Sequence, residues 1–129
     1  MRLLFKDPTT TESITTLLVN TAQSVASPDT KIIGATGRFG ARYVATRAAF
    51  AIASHAALDA YAEYPDSADV VGLACFGDPG LSGLKELATQ PVIGMAEAAC
   101  MEAAAQCAPQ NRPPRKEVAR WRRGRRNRP

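Results

Sequence analysis

The sequence is poor in the residues that build metal centres and disulfide frameworks. Its 129 residues include one histidine and three cysteines, which are Cys75, Cys100 and Cys107. No two cysteines stand in a Cys-x-x-Cys spacing, and no histidine pair accompanies them. An odd number of widely spaced cysteines argues against a disulfide framework and against a zinc site. We therefore expect no bound metal.

Long apolar runs are also missing from the chain. No segment approaches the ~18 apolar residues that a membrane-spanning helix needs. Lys6, Asp7 and Pro8 interrupt the first apolar run too early for a secretory signal. We expect a cytoplasmic protein with no membrane partner. A hydrophobic content of 46% over this length is enough for one domain with its own core.

Charge is distributed unevenly along the chain. Residues 1–107 carry 7 Lys and Arg against 11 Asp and Glu, a net charge of −4, whereas residues 108–129 carry 9 against 1, a net charge of +8. We therefore predict a folded domain over 1–107 and a disordered Arg/Pro-rich tail over 108–129. The tail has one alternative role, which is contact with nucleic acid or another polyanion. Its low-complexity composition favours disorder first, so a nucleic-acid partner is not expected.

Apolar runs alternate with segments of helical periodicity over the first 107 residues. This βαβαβαβα order predicts an α/β fold, a flavodoxin-like half-domain whose parallel sheet has about four strands, with helices on both faces. The predicted strands are 2–5, 31–35, 70–74 and 91–94, and the predicted helices are 11–25, 44–64, 81–88 and 95–107, with Thr9 or Thr10 as the cap of the first helix.

One thiol stands where such folds place their chemistry. The apolar run 70–74 ends at Cys75, and Gly77, Pro79 and Gly80 follow before the next helix. Ligands of open α/β sheets bind at the carboxyl ends of the strands. Amides at the start of the following helix are expected to favour the thiolate of Cys75. The alternative is an inert core thiol, because free cysteine is among the most buried residue types.

Two further features are weaker candidates. Arg38 and Arg42 lie in a glycine-containing loop and are able to bind a carboxylate through a bidentate fork, but loop arginines are mostly solvated. His55 lies within an alanine-rich helix, and no neighbouring base pair supports a catalytic role. We interpret the two arginines as solvated side chains and the histidine as structural or exposed.

Several segments together are similar to one enzyme family. The run ACFGDPGL (Ala74–Leu81), the later run PVIGMAEAA (Pro91–Ala99) and the upstream run Gly37–Tyr61 resemble the aspartate/glutamate/hydantoin racemase family, in its hydantoin-racemase-like branch. The opening DPTTTESIT (Asp7–Thr15) is similar to the Asn-Pro-Asn-Thr loop of that family. The resemblance covers about residues 1–99.

The resemblance implies a cofactor-independent racemase or epimerase that acts on an amino acid, a hydantoin or a similar small molecule. Family members have two similar halves, each with one strand-end cysteine, which exchange a proton on opposite faces of a carbon alpha to a carbonyl. Such inversion needs an acid and a base on opposite faces and a stabilised enolate. By resemblance, Cys75 is catalytic, and the substrate-binding residues are Asp7, Thr9, Thr10, Phe76 and Gly77.

The chain departs from the family pattern in two ways. Asp7 and Thr9 stand where the family loop has Asn, and a negative charge at Asp7 would repel an anionic substrate. No second strand-end cysteine occurs, because Cys100 and Cys107 both fall in a predicted helix. We therefore expect a truncation or a frame shift after about residue 99 and a chain that is inactive alone.

Three alternatives remain open at this point. A homodimer would place two Cys75 thiols across one cleft. A one-cysteine relative, such as a decarboxylase, would protonate an enolate from one face only. A non-catalytic half-domain would use its basic tail to bind polyanions.

Overall fold

The computed structural model describes residues 1–64 and 68–107. It contains a four-stranded sheet in the order β2-β1-β3-β4, in which every neighbouring pair is parallel. The predicted α/β fold is therefore confirmed, whereas the predicted tail lies outside the described residues. The elements are β1 Arg2–Asp7, α1 Glu12–Val25, β2 Lys31–Thr36, α2 Arg47–Ala62, β3 Val70–Leu73, α3 Leu81–Leu87, β4 Val92–Gly94 and α4 Met95–Gln106.

The chain divides into two compact units, Met1–Ala99 and Cys100–Pro129. The first unit holds the whole sheet. In the described part of the second unit, Cys100 lies exposed on α4 and Cys107 lies exposed directly after it. No helix among the described residues is both long and apolar enough to cross a bilayer.

Helices cover both faces of the sheet. Successive strand residues point to opposite sides, so each strand contributes side chains to both layers of helices. On one face, Gly34 of β2 lies so close to α1 that an added Cβ would stand 2.7 Å from side-chain carbons of Thr15 and Val19. On the other face, the ammonium of Lys6 in β1 donates to the carbonyl of Ala60 in α2. Strand β2 pairs with one edge of β1, whereas β3 pairs with the other edge, so the direction in which strands are added to the sheet changes after β2. Such a change opens a crevice at the carboxyl ends of the two strands beside it, here β1 and β3.

The main core lies between the sheet and the pair α2 and α3. Its buried members are Ala57, Tyr61, Val71, Leu73 and Leu84. Small side chains on α2 permit close packing, and the backbone of α3 comes so near that a Cβ on Gly80 would lie 2.7 Å from the carbonyl oxygen of Ser54. This packing fixes the segment between β3 and α3, which carries Cys75.

Strand β1 is two residues longer than predicted. Asp7 was expected to begin the turn before α1 and Lys6 was assigned to no element, but both are fully buried strand residues. The Lys6 ammonium also lies 4.4 Å from the ring centroid of Tyr64. Burial lowers the pKa of Lys6 to about 8, and the nearby Glu63 carboxylate opposes part of that shift. The prediction was wrong because the partners of these charges come from elsewhere in the chain.

Two helices begin later than predicted. The cap position of α1 is Thr11, which makes no side-chain capping bond, and neither Thr9 nor Thr10 takes that role. Helix α2 begins at Arg47 rather than at residue 44, because the hydroxyl of Thr46 accepts a hydrogen bond from the amide of Ala49 at 3.1 Å. Such a bond satisfies one of the amides left unpaired at a helix start.

Candidate functional site

Cys75 follows β3 at the reversal point of the sheet. The amide of Ala74 donates to the carbonyl of Lys6 at 2.8 Å, so the contact between β3 and β1 continues to the residue before the cysteine. The thiol is half-buried and makes a weak contact of 3.9 Å to the carbonyl oxygen of Phe76. The sulfur therefore stands at the carboxyl edge beside the end of β1, and it is not sealed inside the core.

Two consecutive tight turns connect Cys75 to α3. The amide of Asp78 donates to the carbonyl of Cys75 at 3.1 Å, and the amide of Leu81 donates to the carbonyl of Asp78 at 3.2 Å. The third residues of these turns, Gly77 and Gly80, have φ of 100° and 80°. A type II turn needs positive φ at that position, which explains the glycines and the Pro-Gly pair.

The loop after β1 is organised by the carboxylate of Asp7. One carboxylate oxygen accepts from the amide of Thr9 at 2.9 Å, and the other accepts from the hydroxyl of Thr15 at 3.0 Å. The Thr15 hydroxyl also contacts that of Thr36 at 2.7 Å. Asp7 and Thr9 are buried, and Thr10 is half-buried. Asp7 therefore supports the loop from inside, and its carboxylate does not project into solvent.

A second loop braces the first. The amide of Gly37 donates to the carbonyls of Asp7 and Thr9 at 2.8 and 2.9 Å, and the amide of Thr10 donates to the carbonyl of Ala41 at 3.3 Å. A Cβ on Gly37 would lie 3.0 Å from the carbonyl oxygens of Pro8 and Thr9. The close approach of two backbones explains the glycine at this position.

Arg38 is occupied by carboxylates of the protein itself. Its guanidinium donates to both carboxylate oxygens of Asp59, at 3.1 and 2.7 Å, and pairs with Glu63 at 2.5 Å. The bond to Asp59 raises the pKa of Arg38 and lowers that of Asp59. The Arg38 side chain is 56% exposed, as expected for a solvated side chain, and in addition it pairs with two carboxylates of the protein. His55 is exposed, in agreement with the expectation of a structural or exposed side chain, and its ring centroid lies 5.0 Å from that of Phe39 in an edge contact.

Electrostatics around the thiol differ from the sequence-based expectation. Burial raises the pKa of Cys75, and the negative charges of Asp7 and Asp78 raise it further. The expected preference for thiolate was wrong, because α3 has seven residues and begins six positions after the sulfur, while two carboxylates lie near it. At neutral pH the group is a proton-bearing thiol.

The predicted site residues fall into two groups. Cys75, Phe76 and Gly77 share one turn, in which the side chain of Phe76 is 70% exposed. Within the described residues, the amides of these three donate to no other backbone group. Asp7, Thr9 and Thr10 form the adjacent loop. Sequence reasoning missed Asp78, although a carboxylate between Gly77 and Pro79 in a strand-end turn was a visible signal.

A groove on the described surface lies elsewhere. It measures about 330 Å³, runs between α1 and β2, and is bordered by Glu12, Asn20 and Thr36 among others. Thr15 touches both this groove and Asp7, but Cys75 does not border it. No group of three His, Cys, Asp or Glu residues within 1–64 and 68–107 comes together to hold a metal ion.

Comparison with known proteins gives a consistent result. The profile of the family described as Asp/Glu/Hydantoin racemase matches residues 3–112, which extends beyond the expected limit near residue 99. The hydantoin racemase of Paenarthrobacter aurescens is 34% identical over 101 residues, covering 77% of this chain and 43% of its own length. The allantoin racemase structures from Klebsiella pneumoniae and Pseudomonas fluorescens are 36% and 38% identical to this chain, and each gives a TM-score of 0.77. Each comparison covers 81% of this chain, but only 43% of the Klebsiella protein and 44% of the Pseudomonas protein. The chain thus spans less than half the length of these relatives.

Proposed function

Because the chain belongs to the Asp/Glu/Hydantoin racemase family, we propose that it carries out cofactor-independent proton transfer at a carbon alpha to a carbonyl, with Cys75 as the proton carrier. One observation above all supports this proposal. The thiol of Cys75 is half-buried at the carboxyl end of β3, next to the loop after β1, where open α/β sheets bind ligands.

The protonation state of the thiol sets the direction of its first step. A base on the far face of the substrate removes the alpha proton, and the electron pair moves onto the carbonyl oxygen as an enolate. The S–H bond of Cys75 then breaks, its proton bonds to the alpha carbon from the near face, and a thiolate remains. Each face exchanges one proton, so the stereocentre inverts with no net oxidation. The raised pKa of Cys75 supports its role as the donor.

The charge around the thiol favours a neutral substrate. Asp7 and Asp78 both act on Cys75 electrostatically, and two fixed negative charges disfavour an acidic amino acid at the same place. A hydantoin or allantoin ring is uncharged in its ground state, and these are the compounds named for the similar racemases. We therefore propose a ring of this ureide class, and not aspartate or glutamate, as the substrate.

The two loops at the site have separate roles in this proposal. The unpaired amides of Phe76 and Gly77 are suited to hold the developing enolate oxygen, because charge appears there during the reaction. The exposed ring of Phe76 offers an apolar surface to the substrate. We assign Thr9 and Thr10 to the binding of the substrate, whereas Asp7 keeps their loop in shape through its buried hydrogen bonds.

The base on the opposite face has to come from another group. Among the described residues, one cysteine ends a strand, and the other two lie exposed on α4 or directly after it. We propose that a second copy of the chain supplies its own Cys75 to the shared crevice, where one of the two thiols loses its proton and acts as the base while the other stays protonated as the donor. A chain that acts alone would instead protonate an enolate from one face, as a decarboxylase does, and would give a single enantiomer.

The test measures loss of optical rotation with single enantiomers of a 5-substituted hydantoin and of allantoin, each corrected for the rate without enzyme. The wild type is expected to racemise one of them. Cys75→Ser should lower the rate by at least about 100-fold, since the general acid is lost, whereas Cys100→Ser should retain it. Equal rates in the wild type and Cys75→Ser would refute the role of Cys75. Activity that rises in proportion to protein concentration, with no evidence of self-association, would refute the second copy.

A further inference from the structure

The carboxylate of Asp78 joins the Cys75 turn to the beginning of α4. Its two oxygens accept hydrogen bonds from the amides of Ala96 and Glu97 at 2.9 and 2.8 Å. The backbone amide of the same residue closes the turn onto the carbonyl of Cys75 at 3.1 Å. Asp78 has a φ of 55°, in the left-handed region. One residue thus makes three bonds, two to α4 and one back to the cysteine, in a backbone conformation that residues other than glycine adopt uncommonly.

The sequence around this contact is shaped to receive the carboxylate. A Cβ on Gly94 would stand 2.3 Å from the carboxylate carbon of Asp78, so a larger residue would displace it. Glu97 reinforces the same corner, because its carboxylate accepts from the amide of Gly94 at 3.4 Å and pairs with Lys85 of α3 at 2.5 Å. The pair with Lys85 lowers the pKa of Glu97. The Cys75 turn thus meets the end of β4 and the start of α4 at Asp78, and α3 is joined to the same corner through Lys85 and Glu97.

We propose that Asp78 is a positioning residue for the proton-transfer reaction, which ties the Cys75 turn to the start of α4 and places a fixed negative charge beside the thiol. The inference rests on the proposed function of Cys75. The hydrogen bonds hold the sulfur at the mouth of the crevice, and the charge keeps the proton on it until an enolate forms. Asp78 does not touch the substrate, and it acts through Cys75.

The groups that act on the thiol are few and can be changed separately. Asp7 faces it from the β1 side and Asp78 from its own loop. Lys85 and Glu97 lie beyond Asp78 and neutralise each other. Asp78→Asn removes the charge but leaves a carbonyl oxygen for one of the two amides. Gly94→Ala keeps the charge but forces the carboxylate away from its place.

The test follows alkylation of Cys75 by iodoacetamide against pH, with the full chain in a Cys100→Ser, Cys107→Ser background and peptide mass spectrometry as the readout. Thiolate is the reactive form. Asp78→Asn should therefore shift the midpoint of the alkylation rate against pH to lower pH, and it should speed alkylation at pH 7.5 by about threefold or more. Glu86→Gln removes an exposed charge of the same sign on α3 and should leave the midpoint unchanged. A folded Asp78→Asn protein with the wild-type midpoint would overturn the proposal.

A measurement on the unaltered chain covers the case in which Asp78→Asn fails to fold. Hydrogen exchange should show slow amides at Ala96 and Glu97, although both lie in the first turn of a helix, where amides lack helical partners. Rapid exchange at both would overturn the proposal. Neither readout depends on turnover. Suppose that Asp78→Asn lowers the pH midpoint of Cys75 alkylation but the wild type racemises neither substrate. That result would support the placement of Asp78 and refute the proposed function alone.

Discussion

Replacement of the buried Lys6 by methionine should remove a pH dependence of stability. In the folded protein its pKa is about 8, against 10.5 for the free side chain. The lowered pKa means that the unfolded chain binds more protons between these values. Stability of the wild type should therefore rise with pH from about 8 to about 10.5, whereas below that window the cost of burying the ammonium is fully present and does not change with pH.

The size of this effect follows from the two pKa values. Integration from pH 7 to pH 10 gives about 2.5 kcal/mol of added stability, at about 1.4 kcal/mol per pKa unit. Solvent near the ammonium and screening of the Glu63 charge reduce it, so we expect about 1–2.5 kcal/mol. Because other groups also titrate in alkali, the quantity of interest is the difference between the wild type and Lys6→Met at each pH.

The assay is urea unfolding of both proteins at several values between pH 7 and pH 10, followed by circular dichroism. Lys31→Met, at an exposed position of β2, serves as the matched control and should track the wild type at every pH. A wild-type minus Lys6→Met difference that stays constant across the range would refute the assignment of a depressed pKa to Lys6. A difference that falls with rising pH would show that the ammonium is favoured by its carbonyl and ring partners.

Two substitutions test the loops that flank the site. Thr15→Val removes the hydroxyl that donates to buried Asp7 and should cost about 1–3 kcal/mol of unfolding free energy. Thr16→Val, at the neighbouring exposed position, should cost little. Equal urea midpoints for the two variants would contradict the Asp7 network. Gly37→Ala brings a methyl to 3.0 Å from two backbone oxygens of the β1 loop and should lower the thermal midpoint by several degrees. Gly83 lies within α3, and a methyl there would meet only the flexible side chain of Leu58 on α2. Gly83→Ala should therefore leave the thermal midpoint unchanged or raise it, and the same loss in both variants would argue against a specific contact at Gly37.

The general fold was predictable from local sequence. Apolar runs bounded by turn residues placed β2 and β3 to within a residue, and the periodicity of α1 gave its end at Val25. These signals are local, because a strand or an amphipathic helix is visible in its own residues. Burial of Lys6 and Asp7 was not predictable, since charged residues are normally exposed. The partner of Lys6 lies 54 residues away on α2, and the contact of Asp7 with Thr15 forms only once α1 packs on the sheet.

The candidate site was predictable in position but not in electrostatics. A cysteine at the end of an apolar run pointed to the carboxyl edge of the sheet. The state of its thiol depends on Asp7 of another strand and on the shortness of α3, and neither is visible in the turn itself. Asp78 was overlooked for a similar reason, because its two amide partners lie 18 and 19 residues away, in a helix that the sequence gave no reason to place beside it.

The central claim is that the sulfur of Cys75 carries the exchanging proton. The most direct measurement is deuterium incorporation at the alpha carbon of a single-enantiomer hydantoin in D2O, followed by proton NMR during the first few per cent of reaction. We expect the wild type to introduce solvent deuterium into the inverted product and Cys75→Ser to introduce none above the rate without enzyme. Incorporation at the same rate by Cys75→Ser and the wild type would contradict the account.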